Sequence, residues 1–96
     1  MKCYISLPIT GYDLAERRET AARIEAMLQS HGYETANPLN KGLPDDAPYH
    51  EHMRQDLKLL LDCDVIYLAE GWEHSEGCRF ESDVAGICGI HQAPVF

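Results

Sequence analysis

The sequence predicts an α/β fold: a small doubly wound parallel sheet of about four strands in the order 2-1-3-4, with helices on both faces, of the flavodoxin-like or Rossmann-like kind. Three observations carry this. Short β-rich runs alternate with helical periodicities, so the chain reads βαβαβαβ, the pattern of a parallel sheet with right-handed crossovers. The run Val65-Ile66-Tyr67-Leu68-Ala69 is apolar at nearly every position, as a central strand covered on both faces must be. The length, 96 residues, is that of one domain, so residues 1–96 are read as a single unit.

Taken in order, residues 2–7 (KCYISL) are short, apolar and β-rich, and Pro8 ends them as the first strand. Ile9, Thr10, Gly11 and Tyr12 form the loop after it. Asp13 fits an N-cap, and Glu16 three residues on completes a capping-box pattern. Leu14, Arg17, Ala21, Ile24 and Leu28 then recur at the three- and four-residue steps of one helix face. Gly32 is placed to end that helix at C′. Residues 33–36 are polar and run into Asn37-Pro38, which predicts a short edge strand. Residues 40–48 hold Gly42, Pro44, Asp45, Asp46 and Pro48 and read as a loop of the kind that covers sites. A second helix is expected over 50–62, with Met53, Leu57, Leu60 and Leu61 facing the core and Asp56 off the centre of that stripe. The third strand is the apolar run at 65–69. A third helix is expected from 77 or 79 to 89, with Glu81 in or near its first turn, and residues 93–96 read as the start of a fourth strand. In a 2-1-3-4 sheet the ligand crevice lies between the carboxyl ends of strands one and three, here the loops at 8–12 and 71–77.

Composition narrows the function. The chain is 45% hydrophobic and 25% charged, a soluble globular mix. A chain of this size buries only about 60–65% of its unfolded surface, so an oligomer interface would help it, and a homodimer or larger homo-oligomer is expected. No apolar run approaches the ~18 residues of a membrane span, and the N-terminus lacks the features of a signal peptide, so a cytoplasmic protein without a membrane partner is expected. The net charge of −8 argues against a nucleic-acid polymer as partner but leaves room for a mononucleotide held by backbone N–H groups. Cys3, Cys63, Cys78 and Cys88 form no CxxC pair and read as reduced, mostly buried thiols. His50 and His52 stand two apart on a helix and point to different faces, so no metal is expected.

Two carboxylates could carry chemistry. A carboxylate at a helix N-terminus is favoured in its ionised form by the dipole, and when fixed it can attack an anomeric carbon; Glu81 is placed for this. A glycosidic site needs a second carboxylate, and Asp56, on the helix feeding the central strand, can supply it. Taken singly, each is also an ordinary helix residue. Ser75 and Gly77 could seat a phosphate on backbone N–H groups, with Arg17, Lys41 or Arg79 as counter-charge, although the surrounding stretch is acidic. Trp72 could stack on a base or lie in an interface.

One set of residues in this order and spacing resembles a family. It comprises Tyr4-Ile5-Ser6 with Pro8-Ile9-Thr10-Gly11; Asn37-Pro38; Met53-Arg54-Gln55-Asp56-Leu57; Cys63-Asp64-Val65-Ile66; and Ser75-x-Gly77-x-x-x-Glu81 followed by Ala85 and Gly89. The set is similar to the nucleoside 2-deoxyribosyltransferase family, above all its short deoxyribosyltransferase-like members, and to the 2′-deoxynucleoside 5′-phosphate N-hydrolases. The resemblance implies a small doubly wound α/β fold and cleavage or transfer of the N-glycosidic bond of a 2′-deoxynucleoside or its 5′-monophosphate, without metal or organic cofactor. It implies Glu81 as nucleophile, Asp56 as the carboxylate that positions the sugar and assists departure of the base, and Tyr4 as the group orienting Glu81. Ser75, Gly77, Ile9, Thr10 and Gly11 would bind the substrate, and serine at 75 leans toward a 5′-phosphate. Two departures stand out. Leu7 precedes Pro8 where a small residue is usual. The family's enzymes also continue past the fourth strand to complete a neighbouring subunit's site, whereas this sequence ends at Phe96, which implies a site completed differently or one that no longer catalyses. The alternatives are a non-catalytic nucleotide- or sugar-phosphate-binding module, or a small oligomeric interaction protein, on the same fold.

Overall fold

The computed structural model describes residues 1–93 and sets the first apolar run, β1 (Lys2–Ser6), between β2 (Glu34–Ala36) and β3 (Val65–Leu68), with β4 (His91–Gln92) beyond β3. Every pairing is parallel, and the order β2-β1-β3-β4 is the one the sequence predicts. The fourth strand falls just before the expected 93–96; residues 94–96 lie outside the described residues.

Pleating sends alternate residues of each strand to opposite faces. Cys3, Ile5 and Leu7 therefore share one face, where they meet Ala21 and Leu28 of α1 (Leu14–Ser30) together with Val65 and Ala69. Tyr4 and Ile66 face the other way and pack with Leu60 of α2 (Tyr49–Leu61) and Ala85 of α3 (Glu76–Ile87). One helix covers one face and two cover the other, which makes the sheet doubly wound.

The helix ends follow their sequence signals in part. Asp13 caps α1 by accepting from the Glu16 N–H at 3.0 Å. The return half of the capping box is missing among the described contacts, because the Glu16 carboxylate is taken by Arg17 at 2.6 Å and by Thr20. At the other end Gly32 (φ 91°) reverses the chain: its N–H donates to the Gln29 carbonyl and that of Tyr33 to the Leu28 carbonyl. Those are the two bonds of a Schellman cap, and only glycine adopts that φ without strain.

Two expectations are corrected here. In α2 the stripe is rotated: Leu60 is fully buried and Leu61 is 54% exposed, while Asp56 is buried with Leu60 on the inward face. A carboxylate occupies a core position because a lysine from another segment meets it there. In α3 the helix begins at Glu76 with Ser75 as N-cap, so Glu81 lies in the second turn, beyond the reach of the first-turn dipole argument.

Candidate active site

A cleft of about 680 Å³ opens at the carboxyl ends of β1 and β3, the place where the strand order reverses. Its walls are the loop after β1, the segment between β2 and α2, the start of α2, and the turn leading from β3 into α3. Gly71 (φ 87°) and the 3-10 turn Trp72–His74 bring the chain round to Ser75 and the first residues of α3. Tyr4, Asp56 and Glu81 all line this cleft.

Glu81 is 5% exposed, and both its oxygens are held. The Tyr4 hydroxyl donates to Oε2 at 2.6 Å and the Ser6 hydroxyl to Oε1 at 2.8 Å. Tyr4 and Ser6 are two apart on β1, so the pleat that buries Cys3, Ile5 and Leu7 on one face aims both hydroxyls at Glu81 on the other. Burial pushes the Glu81 carboxyl up from 4.5 to about 7, against the opposing pull of the two hydroxyls. Burial and the neighbouring Glu81 also hold Tyr4 well above the ordinary phenol range, so it stays a donor.

Asp56, 7% exposed, accepts from the Lys41 ammonium at 2.7 Å, and both side chains are largely shielded from solvent. Desolvation raises the Asp56 carboxyl, and the Lys41 bond and charge pull it back.

The expected substrate-binding residues divide. Ile9, Thr10, Ser75 and Gly77 line the cleft; Gly11, exposed at φ 87°, is not part of the lining. Ser75 Oγ caps α3 by accepting the Cys78 N–H at 3.3 Å. Gly77 sits where α3 passes α2: a Cβ there would lie 3.1 Å from the Tyr49 hydroxyl. Trp72 is half-buried and outside the lining, whereas Tyr12 and Tyr49, 51% and 53% exposed, stand in it. Of the counter-charges considered for a phosphate, Arg17 is engaged with Glu16, the Pro8 carbonyl and the Tyr12 ring, Lys41 with Asp56, and Arg79 is not in the lining. Arg18, also in the cleft, pairs with Asp45 at 2.7 Å. Sequence reasoning missed Ser6, whose signal was its same-face spacing from Tyr4, and the Lys41–Asp56 pair, for which local sequence holds no signal. His52 and His74 line the cleft, and among the described residues no group of three or more His, Cys, Asp or Glu could hold a metal ion. Cys3, Cys63 and Cys78 are buried and Cys88 is exposed. No helix of the described residues is long and apolar enough to cross a membrane.

A family model described as a domain of unknown function, DUF4406, matches residues 1–93. The chain belongs to that family. Among solved structures it resembles a 2-deoxyribosyltransferase from the psychrotolerant bacterium Bacillus psychrosaccharolyticus, with a TM-score of 0.69 at 15% identity, over 100% of this chain and 77% of that one. No curated protein matches the chain. This DUF4406 member thus has the fold of the family that its motifs resemble.

Proposed function

We propose that this DUF4406 protein cleaves or transfers the N-glycosidic bond of a 2′-deoxynucleoside, with Glu81 as nucleophile. One observation carries the reading: a buried carboxylate at the head of a cleft, each oxygen fixed by a hydroxyl, with a second buried carboxylate in the same cleft. In the reaction a Glu81 oxygen bonds to C1′ as the C1′–N bond breaks and its electron pair leaves on the base. Water or a second base then attacks C1′ and releases the carboxylate. Tyr4 and Ser6 set the direction of attack. Asp56 positions the sugar and, with Glu81, faces the positive charge that develops on it. Likeness of fold to a 2-deoxyribosyltransferase supports the same reaction class.

The charge of the cleft bears on the substrate. Its cations Arg18 and Lys41 are both paired with carboxylates, while Glu76 and Glu81 add negative charge. A 5′-phosphate dianion would have to break one of those pairs, so the unphosphorylated nucleoside is the better fit despite Ser75.

The test is incubation with the deoxynucleosides and with their 5′-monophosphates, following free base by chromatography, with and without a second base as acceptor. Release from the nucleosides is expected, rising with pH through about 7 as Glu81 ionises. Glu81→Ala should lower it by a factor of roughly 10³ or more. Absence of release by the unaltered protein, or equal release by Glu81→Ala, overturns the proposal.

A further inference from the structure

The glycosidic reading uses Glu81, Asp56, Tyr4 and Ser6, and leaves one buried charge without a role. Lys41 follows the 3-10 turn Pro38–Asn40 at the carboxyl end of β2, a turn N-capped by the Asn37 side chain at 3.0 Å from the Leu39 N–H and anchored by buried Pro38. From there it reaches Asp56 on α2, with only 8% of its side chain exposed. Removing both ions of such a pair from water is costly before their attraction is counted, so the pair is a poor device for stability alone. Its setting gives it another use. Asp56 raises the Glu81 carboxyl and Lys41 lowers it, so three charges act on one another inside one cleft. Two buried carboxylates on their own cannot both ionise near neutrality. The ammonium brings their sum from −2 to −1.

We propose that Lys41 is a positioning residue of this cleft, pairing with Asp56 within electrostatic reach of Glu81 so that both buried carboxylates are ionised together. This rests on the glycosidic reading above and deepens it. With both groups charged, the sugar meets two negative oxygens as its positive charge develops. Without Lys41 one of the two retains a proton, and the pair titrates as a coupled unit. The other groups facing the pair are Tyr4 from β1, Tyr49 and His52 from α2, and Cys78 and Glu76 from α3. Burial holds the Tyr4 phenol and the Cys78 thiol above their ordinary ranges, and partial desolvation with the nearby carboxylates does the same for the half-exposed Tyr49, so all three stay neutral. Glu76 is an exposed residue of the cleft lining, and Asp45, also in the lining, is engaged by Arg18. His52 acts electrostatically on Asp56, so the test is run in a His52→Gln background.

The test is a pH titration of the side-chain carboxyl carbons by ¹³C NMR, comparing that background with Lys41→Gln, which keeps a donor and loses the charge, and with Lys41→Arg. Lys41→Met serves if Lys41→Gln does not fold. The later of the two buried-carboxyl steps is expected to move up by about 1–2 pH units in the neutral variant and to stay within about half a unit in Lys41→Arg. A later step unmoved by Lys41→Gln overturns the proposal. The rate of base release gives a second readout. Its rising limb should shift upward with the titration, leaving Lys41→Gln roughly tenfold slower at pH 7 and recovering by pH 9. A loss equal at every pH is that of a merely structural residue and also overturns it. If the unaltered protein releases no base at any pH, the glycosidic reading falls, and the carboxyl titration alone decides what Lys41 does.

Discussion

The two faces of the sheet use the same strands for opposite ends. Under α1, β1 presents Cys3 and Ile5, with Leu7 just past the end of the strand, and they pack against the apolar side chains of Ala21, Leu28, Val65 and Ala69. On the other face β1 presents Tyr4 and Ser6, and toward the carboxyl end the apolar packing of Leu60, Ile66 and Ala85 gives way to Glu81 and Asp56. The difference arises from a period of two along one five-residue strand. It teaches that a small domain can confine its electrostatic cost to one face while the other supplies hydrophobic stability independent of pH.

The largest effect expected of a test on this contrast is on the apolar face. Leu28 is fully buried, and Leu28→Ala should cost about 3 kcal/mol, the transfer energy of the lost methyl groups plus the cavity they leave. Because no ionisable group belongs to that cluster's buried core apart from the Cys3 thiol, pushed up to about 12, the cost should be the same at pH 5 and pH 8. Urea unfolding at the two pH values measures it, and a cost that changes between them would erase the distinction between the faces.

The opposite behaviour is expected at Glu81. Its carboxyl goes from 4.5 to about 7 on folding. Between those values the folded chain binds more protons than the unfolded one, so stability falls as pH rises, by about 3 kcal/mol in all. Glu81→Gln removes that loss but turns one acceptor into a donor, so one of the two hydroxyls must reorient. The variant should be more stable than the unaltered protein by about 2 kcal/mol at pH 8 and nearly equal at pH 4.5, while losing activity. Thermal melts across that range check the sign. A variant less stable at pH 8 would mean that the two hydroxyls outweigh desolvation and that Glu81 is ionised well below neutrality.

Local sequence made much of this legible. The alternation of strand and helix signals marks a parallel sheet, the small doubly wound folds supply its order β2-β1-β3-β4, and Gly32 marks its Schellman cap through its neighbours in the chain. Local sequence also marked Glu81 and Asp56 as candidates, the family resemblance added Tyr4, and in the structure all three line one cleft. What it did not show is the state of those groups. The hydroxyls on Glu81 come from residues 77 and 75 positions away, and the lysine on Asp56 from 15. Periodicity sees a polar residue at Asp56 and turns that side of the helix to solvent; a distant cation turns it inward. The start of α3 misled in another way. Ser75 carries a cap signal as well as a loop signal, and reading it as a loop placed Glu81 in the first turn, where a dipole would keep it ionised. The capped helix starts earlier, and burial instead raises its carboxyl.

Ser75 supplies the smallest and most discriminating prediction. Its oxygen accepts the Cys78 N–H, and removing an N-cap of this kind costs about 1 kcal/mol. If capping is its whole role, Ser75→Ala loses that much stability and changes the rates with nucleosides and with their 5′-monophosphates by the same factor. If the serine seats a phosphate, the loss in kcat/KM falls on the monophosphates alone. The first outcome is expected, because the hydroxyl already serves the helix and both cleft cations are paired with carboxylates. The ratio of the two rates reads the difference without interference from the common loss of stability. A selective loss with monophosphates would move the site face from a neutral-substrate cleft to an anion-binding one, and would require Arg18 or Lys41 to leave its carboxylate when substrate binds.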